Sequence, residues 1–153
     1  MRKELYLAVA QALLSMTDDK GDQLVKYVNM WNQNVDFIDE EEPWERPAVF
    51  VEFMPIVWER TKTSGLLHAN AQLKLHIVTD YKGDYGATGV DNIPTASLEQ
   101  FDLPEKISKQ MTGLRGESFC NMWLVESTTN HNHEEVVEVV DTYKFSCDEW
   151  TCA

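Results

Sequence analysis

The chain opens on a stretch in which apolar residues return every three to four positions. Leu5, Val9, Ala12, Leu13 and Met16 stand at i, i+4, i+7, i+8 and i+11, the spacing that lines one side of an α-helix. This predicts a helix over residues 2–16, ended by the turn formers TDDKGD. From residue 23 the period shortens. QLVKYVNMW, 23–31, puts Val25, Tyr27 and Trp31 on one side and Leu24, Val28 and Met30 on the other, as expected for a strand covered on both faces. AVFVEF, 48–53, reads as a further strand, rich in β-branched and aromatic residues. MPIVWERT is expected to carry that strand past Pro55, with an edge or a bend at the proline.

The plainest alternation is NAQLKLHIVTD, where Ala71, Leu73, Leu75 and Ile77 take turns with Gln72, Lys74 and His76. One face is then buried and the other wet, which makes His76 a surface residue. A Gly-rich loop follows, YKGDYGATGVDNIPT; its length of 15 residues implies a contact role or disorder, above all over 82–92. A second helix is predicted over about 96–112, with Leu98, Phe101, Ile107 and Met111 along one side. Pro104 should kink or split it, with Asp102 capping the second half and Glu105 completing a capping box. Gly113 stands where a helix stops. Two strands close the chain, FCNMWLVEST at 119–128 and EVVEVVDTYKFSC at 135–147. The second places Val137, Val139, Tyr143, Phe145 and Cys147 on one face.

That order of elements makes an α+β fold: a largely antiparallel sheet with an N-terminal helix and a second, Pro-kinked helix packed on it. Residues 1–153 form a single compact domain in this reading.

Charge narrows the partners. The formal net charge is −13, from 26 acids against 13 bases. Such a chain repels a phosphate backbone, which argues against reading nucleic-acid sequence. It suits solubility, or a wall past which DNA slides without sticking. The three cysteines form no C-x-x-C pair and read as reduced thiols of a cytosolic protein. Glu4 and Gln11 interrupt any signal-peptide core, and no apolar run reaches membrane-spanning length.

TTNHNHEEVVEVV, 128–140, is the stretch with candidate chemistry. In an extended chain His131 and His133 point to one side and Glu135 joins them, the start of a metal site. A working site needs further ligands and supporting hydrogen bonds, and the rest of the chain offers only His68, His76 and scattered acids. The H-N-H letters lack the helix that a ββα-metal nuclease would need. The stretch therefore reads as a hydrogen-bonded turn between two neighbouring strands. No phosphate loop, dinucleotide fingerprint or nucleophile elbow is present in the sequence. No enzyme activity and no cofactor are expected.

The series RPAVFVEF, AQLKLHIVTDY, KQMTGLRGESF and DTYKFSC, set behind an N-terminal helix, resembles the tail terminator (tail completion) family of tailed bacteriophages. The likeness is one of pattern and order over nearly the whole chain. Pro104, the 82–92 loop and the NHNHEE turn depart from it. The resemblance implies a ring, typically a hexamer, on the last ring of the tail tube, which stops tube growth and presents the head-joining surface. Its partners would be further copies of itself, the tail tube protein and a head-completion or connector protein. DNA would pass through without specific binding, and no membrane is involved. The location implied is the virion, at the head–tail junction, after assembly in the host bacterial cytoplasm. No catalytic residues come with the resemblance.

On that footing Asp39, Glu40, Glu41 and Glu42 are expected to face the lumen or a docking surface. Trp44 and Trp58 are weighed as subunit contacts against ordinary core packing. Three other readings stand beside this one: a head-completion or stopper protein on the portal side, a metal-dependent hydrolase using His131, His133 and Glu135, and an acidic inhibitor that mimics DNA.

Overall fold

The computed structural model describes residues 1–32, 44–83, 85–131 and 133–151; the acidic run Asp39–Glu42 and Cys152 lie outside them. Its elements are α1 (Arg2–Leu14), β1 (Tyr27–Met30), β2 (Ala48–Phe53), β3 (Glu59–Arg60), β4 (Leu66–Asp80), α2 (Thr95–Leu98), α3 (Asp102–Met111), β5 (Phe119–Asn130) and β6 (Val136–Trp150). The strands form a six-stranded sheet in the order β1-β2-β4-β6-β5, with β3 beside the start of β4. β1 runs parallel to β2 and the other pairings are antiparallel. The fold is α+β, in one compact body.

Both long helices cover the same face. Leu5, Val9 and Leu13 of α1 and Leu103, Ile107 and Met111 of α3 are buried in one cluster. Against them stand Leu73, Leu75 and Ile77 of β4 and Tyr143, Phe145 and Cys147 of β6. The alternation in β4 and β6 thus marks the helix-covered face, as periodicity two requires.

Three boundaries differ from the sequence expectation. The first strand is only four residues long. Val25 therefore does not share a side with Tyr27; it joins Leu24 and Val28 in the main cluster, because strand parity does not extend into the irregular chain before Tyr27. The strand AVFVEF stops at Phe53 instead of running past Pro55. Proline has no N–H to give the ladder, and pairing resumes only at Glu59–Arg60. The second helix is split: α2, a 3-10 turn at Glu99–Phe101, then α3. Pro104 falls in the first turn of α3, where its missing donor costs little. Asp102 lies inside α3 and no side-chain cap forms there. Phe101, expected on the buried side, is exposed, since the 3-10 turn breaks the helical phase.

The glycines of KQMTGLRGESF have separate reasons. Gly113, at φ +79°, ends α3 in the left-handed region that side chains avoid. A Cβ on Gly116 would run into the Glu4 carboxylate. Glu4 reaches from α1 to accept hydrogen bonds from the Glu117 and Ser118 backbone N–H groups and the Ser118 hydroxyl. These bonds, the Ser118 hydroxyl first, hold its pKa below the usual carboxylate range. Stability from a carboxylate held low is present above its unfolded pKa and is lost as pH falls through the folded one. Glu4→Gln is therefore expected to cost about 1–2 kcal/mol at pH 7. In urea titrations the gap from the parent protein should close toward pH 3; a gap independent of pH would mean that the charge is not what matters.

Two register shifts interrupt the β5–β6 pairing, between Cys120 and Trp123 and between Leu124 and Glu126. Asn121 sits at φ +57° in the first of them.

Candidate interaction surfaces

The face of the sheet away from the helices is built in two halves. Over the half formed by the end of β4 and the start of β6 lies a second cluster: Ala48, Phe50, Val78 and Val136, with Tyr27, Trp31 and Trp44 packed on it. Phe50 is its hub, with the rings of Trp44, Tyr27 and Trp31 at 5.0, 6.0 and 6.2 Å. The Arg46 guanidinium lies 5.6 Å from the Trp44 ring centre and also pairs with Asp80.

This layer overturns the reading of His76 as a surface residue. It is only 6% exposed, because Trp31 lies flat on it with ring centroids 3.8 Å apart and planes within 1°. Glu52 Oε2 is 2.7 Å from Nε2, and Glu138 Oε1 is 3.5 Å from Nδ1. The two carboxylates approach opposite edges of the ring, so the three groups do not converge on one ion. What the arrangement does is tie β2, β4 and β6 together beneath an indole.

The NHNHEE stretch is the connection between β5 and β6. The Tyr81 N–H donates to the Glu135 carbonyl at 2.8 Å, which fastens the turn to the end of β4. His131 and Glu135 are exposed and His133 is half-buried. Among the described residues no group of three or more His, Cys, Asp or Glu side chains is placed to hold a metal ion, these three included. Thiol chemistry fares no better at Cys147. Burial, then Asp148 and Glu149, push that thiol up to about 11, and a protonated thiol is a poor nucleophile.

The tryptophans fall into two groups. Trp44 packs on the second cluster and Trp58 on the main one, each half-buried. The most open ones are Trp123, 41% exposed, and Trp150, 63% exposed; neither was singled out from the sequence. Trp123 stands across from Lys144 on the half of the sheet that the second cluster leaves bare, and Trp150 ends β6 opposite Leu66. In the sequence Trp123 fell inside the strand expected at 119–128 and Trp150 just past the one expected at 135–147, so neither stood out.

Charge is also divided along the sheet. At the end where β4 begins, Arg60 of β3 and Lys62 of the loop after it stand around a hollow of about 380 Å³ also lined by Thr61, Thr63, Ser64 and Thr151. At the end where β4 finishes, Glu134 and Glu135 of the β5–β6 turn stand exposed. Asp18, Glu99 and Asp102 line a neighbouring groove of about 550 Å³ with Lys82 and Lys106.

No protein-family profile matches the sequence, and no curated protein does. Among solved structures, the chain is similar in fold to one from the virion of a native gene transfer agent (GTA) particle. The TM-score is 0.56 at 12% sequence identity, over 97% of this chain and 97% of that one. At that identity the likeness establishes a shared fold from end to end.

Proposed function

We propose that this protein is a structural subunit of a phage-like particle: it forms a ring that caps the tail tube, ends tube growth and presents the surface to which the head is joined. The observation that carries the reading is the fold shared over 97% of both chains with a component of a gene transfer agent virion. The place at the tail end rests on the ordered resemblance to tail terminators. The net charge of −13 supports both, since a lumen that repels phosphate lets DNA through without adhesion. The role needs no catalytic group.

The test is to delete the gene from the phage or prophage that carries it and to image the induced lysate by negative-stain electron microscopy. Tails of uncontrolled length beside unattached full heads are expected. Free tails of normal length with emptied heads would move the protein to the portal side as a stopper. Intact, infectious particles would end both structural readings.

A further inference from the structure

The hollow at the β3–β4 turn runs against the charge of the chain. Acids outnumber bases 26 to 13, and the larger groove carries Asp18, Asp80, Glu99 and Asp102 beside Lys82 and Lys106. The hollow, in contrast, is lined by Arg60 and Lys62 and by no acid. Both bases are exposed, and among the described residues neither has a carboxylate within ion-pair distance.

The acids of this end of the sheet are turned away, occupied or distant. Arg60 stands opposite Leu67, and Glu59 stands opposite His68. Successive strand residues face opposite sides of a sheet, so Glu59 lies on the His68 side while Leu67 lines the hollow. Glu149 pairs with Leu67 from β6, but the N-terminal amine lies 3.6 Å from its carboxylate. Glu117 precedes β5, which is three strand spacings from β3, or about 14 Å at roughly 4.8 Å per spacing.

The turn uses its acceptors internally and leaves donors over. The Thr61 N–H and hydroxyl both donate to the Leu66 carbonyl, at 3.3 and 3.0 Å. The Leu66 N–H donates to the Thr63 carbonyl at 3.2 Å, and the Thr151 N–H to the Gly65 carbonyl at 2.8 Å. The Thr61 hydroxyl accepts from the Thr63 N–H at 3.1 Å. With those bonds made, the N–H groups of Lys62, Ser64 and Gly65 and the hydroxyls of Thr63 and Ser64 donate to nothing among the described residues. Gly65, at φ +81°, supplies the left-handed step found in backbone concavities that bind anions.

We propose that this hollow is a binding site for a phosphate group. The Arg60 guanidinium offers a planar fork and the Lys62 ammonium a compact charge, both suited to phosphate oxygens. The hydroxyls and N–H groups add neutral donors, and a phosphate has enough strong acceptor oxygens to meet them from several sides. The group comes either free in solution or from a DNA strand. A net charge of −13 repels a long polyanion from the surface around the hollow, so free phosphate is the expected occupant. The inference does not rest on the tail-end reading.

Equilibrium dialysis of the full chain against radiolabelled inorganic phosphate at fixed ionic strength tests it. A single saturable class of site is expected. Arg60→Gln with Lys62→Gln should weaken it by about tenfold or more, the scale of one lost charge-assisted hydrogen bond. Lys82→Gln with Lys106→Gln removes the same formal charge from the larger groove and should leave binding unchanged. Circular dichroism verifies that each variant folds; Lys62→Gln alone, with part of the same loss, replaces the first double variant if that one does not. A short DNA duplex separates the two sources, and it should compete no better than unlabelled phosphate, counted per phosphate. Displacement by the duplex at far lower phosphate concentration would keep the site and assign it to the DNA backbone. Binding that does not saturate, that survives the loss of Arg60 and Lys62, or that falls equally in the Lys82 and Lys106 variant overturns the inference.

Discussion

Replacing Phe50 by alanine is expected to cost about 3–5 kcal/mol of unfolding free energy, the range for removing a fully buried aromatic side chain. Phe50 has no exposed surface and is the ring that Trp44, Tyr27 and Trp31 all lean on. Those three aromatics lie outside the helix-covered core, on the opposite face of the sheet. A domain of this size has on the order of 5–15 kcal/mol to lose, so the variant should unfold at a much lower urea concentration. Tryptophan emission should also shift to the red in the folded variant as the indoles over β2 and β4 meet water. Phe50→Leu, which keeps most of the volume, should lose far less. A loss below about 1 kcal/mol for the alanine variant would mean that the aromatic layer collapses into the space, and that it is not the rigid cover described above.

Asp141→Asn is expected to act in the opposite direction at neutral pH. Asp141 is only 1% exposed, on the helix-covered face of β6. Burial raises its pKa; the Ser127 hydroxyl, which donates to it, offsets part of that. A carboxyl with a raised pKa binds its proton more tightly in the folded chain than in the unfolded one. Stability therefore falls as pH rises from the ordinary aspartate range, about 3.9, through the folded value, and the penalty is complete above it. Asparagine keeps the shape and removes the charge. The variant should gain about 1–3 kcal/mol at pH 7 and match the parent protein near pH 3. Urea midpoints at several pH values would decide it. Equal stability at pH 7 would mean that Asp141 is better solvated or better hydrogen-bonded than its position implies, so that burial does not penalise its charge. The neighbouring Tyr143 hydroxyl, its pKa also raised by burial and then by Asp141, belongs to the same polar patch under α3.

Much of this architecture was legible because it rests on short-range rules. Leu5 to Leu13 recur at helical spacing, Leu73 to Ile77 alternate, and Gly113 marks a helix end; each needs only its own segment of chain. His76 shows where such reading stops. Its side of the strand is correctly assigned, opposite the helices. Whether that side is wet depends on Trp31 and Glu52, which arrive from two other strands. The same holds for Phe101, whose burial turned on a 3-10 turn that no periodicity announces. The turn at 131–135 was readable as a turn.

The two breaks in β5 bear on how the sheet ends. β5 is an edge strand of 12 residues, and a flat edge of that length is a template for uncontrolled strand addition and aggregation. The two irregularities, with Asn121 in the left-handed region, twist the edge and divide it, so that only the polar run Glu126–Asn130 stays in even register. The edge is thereby kept from templating strands through its backbone, and any contact made there is left to side chains, where partner choice can be enforced.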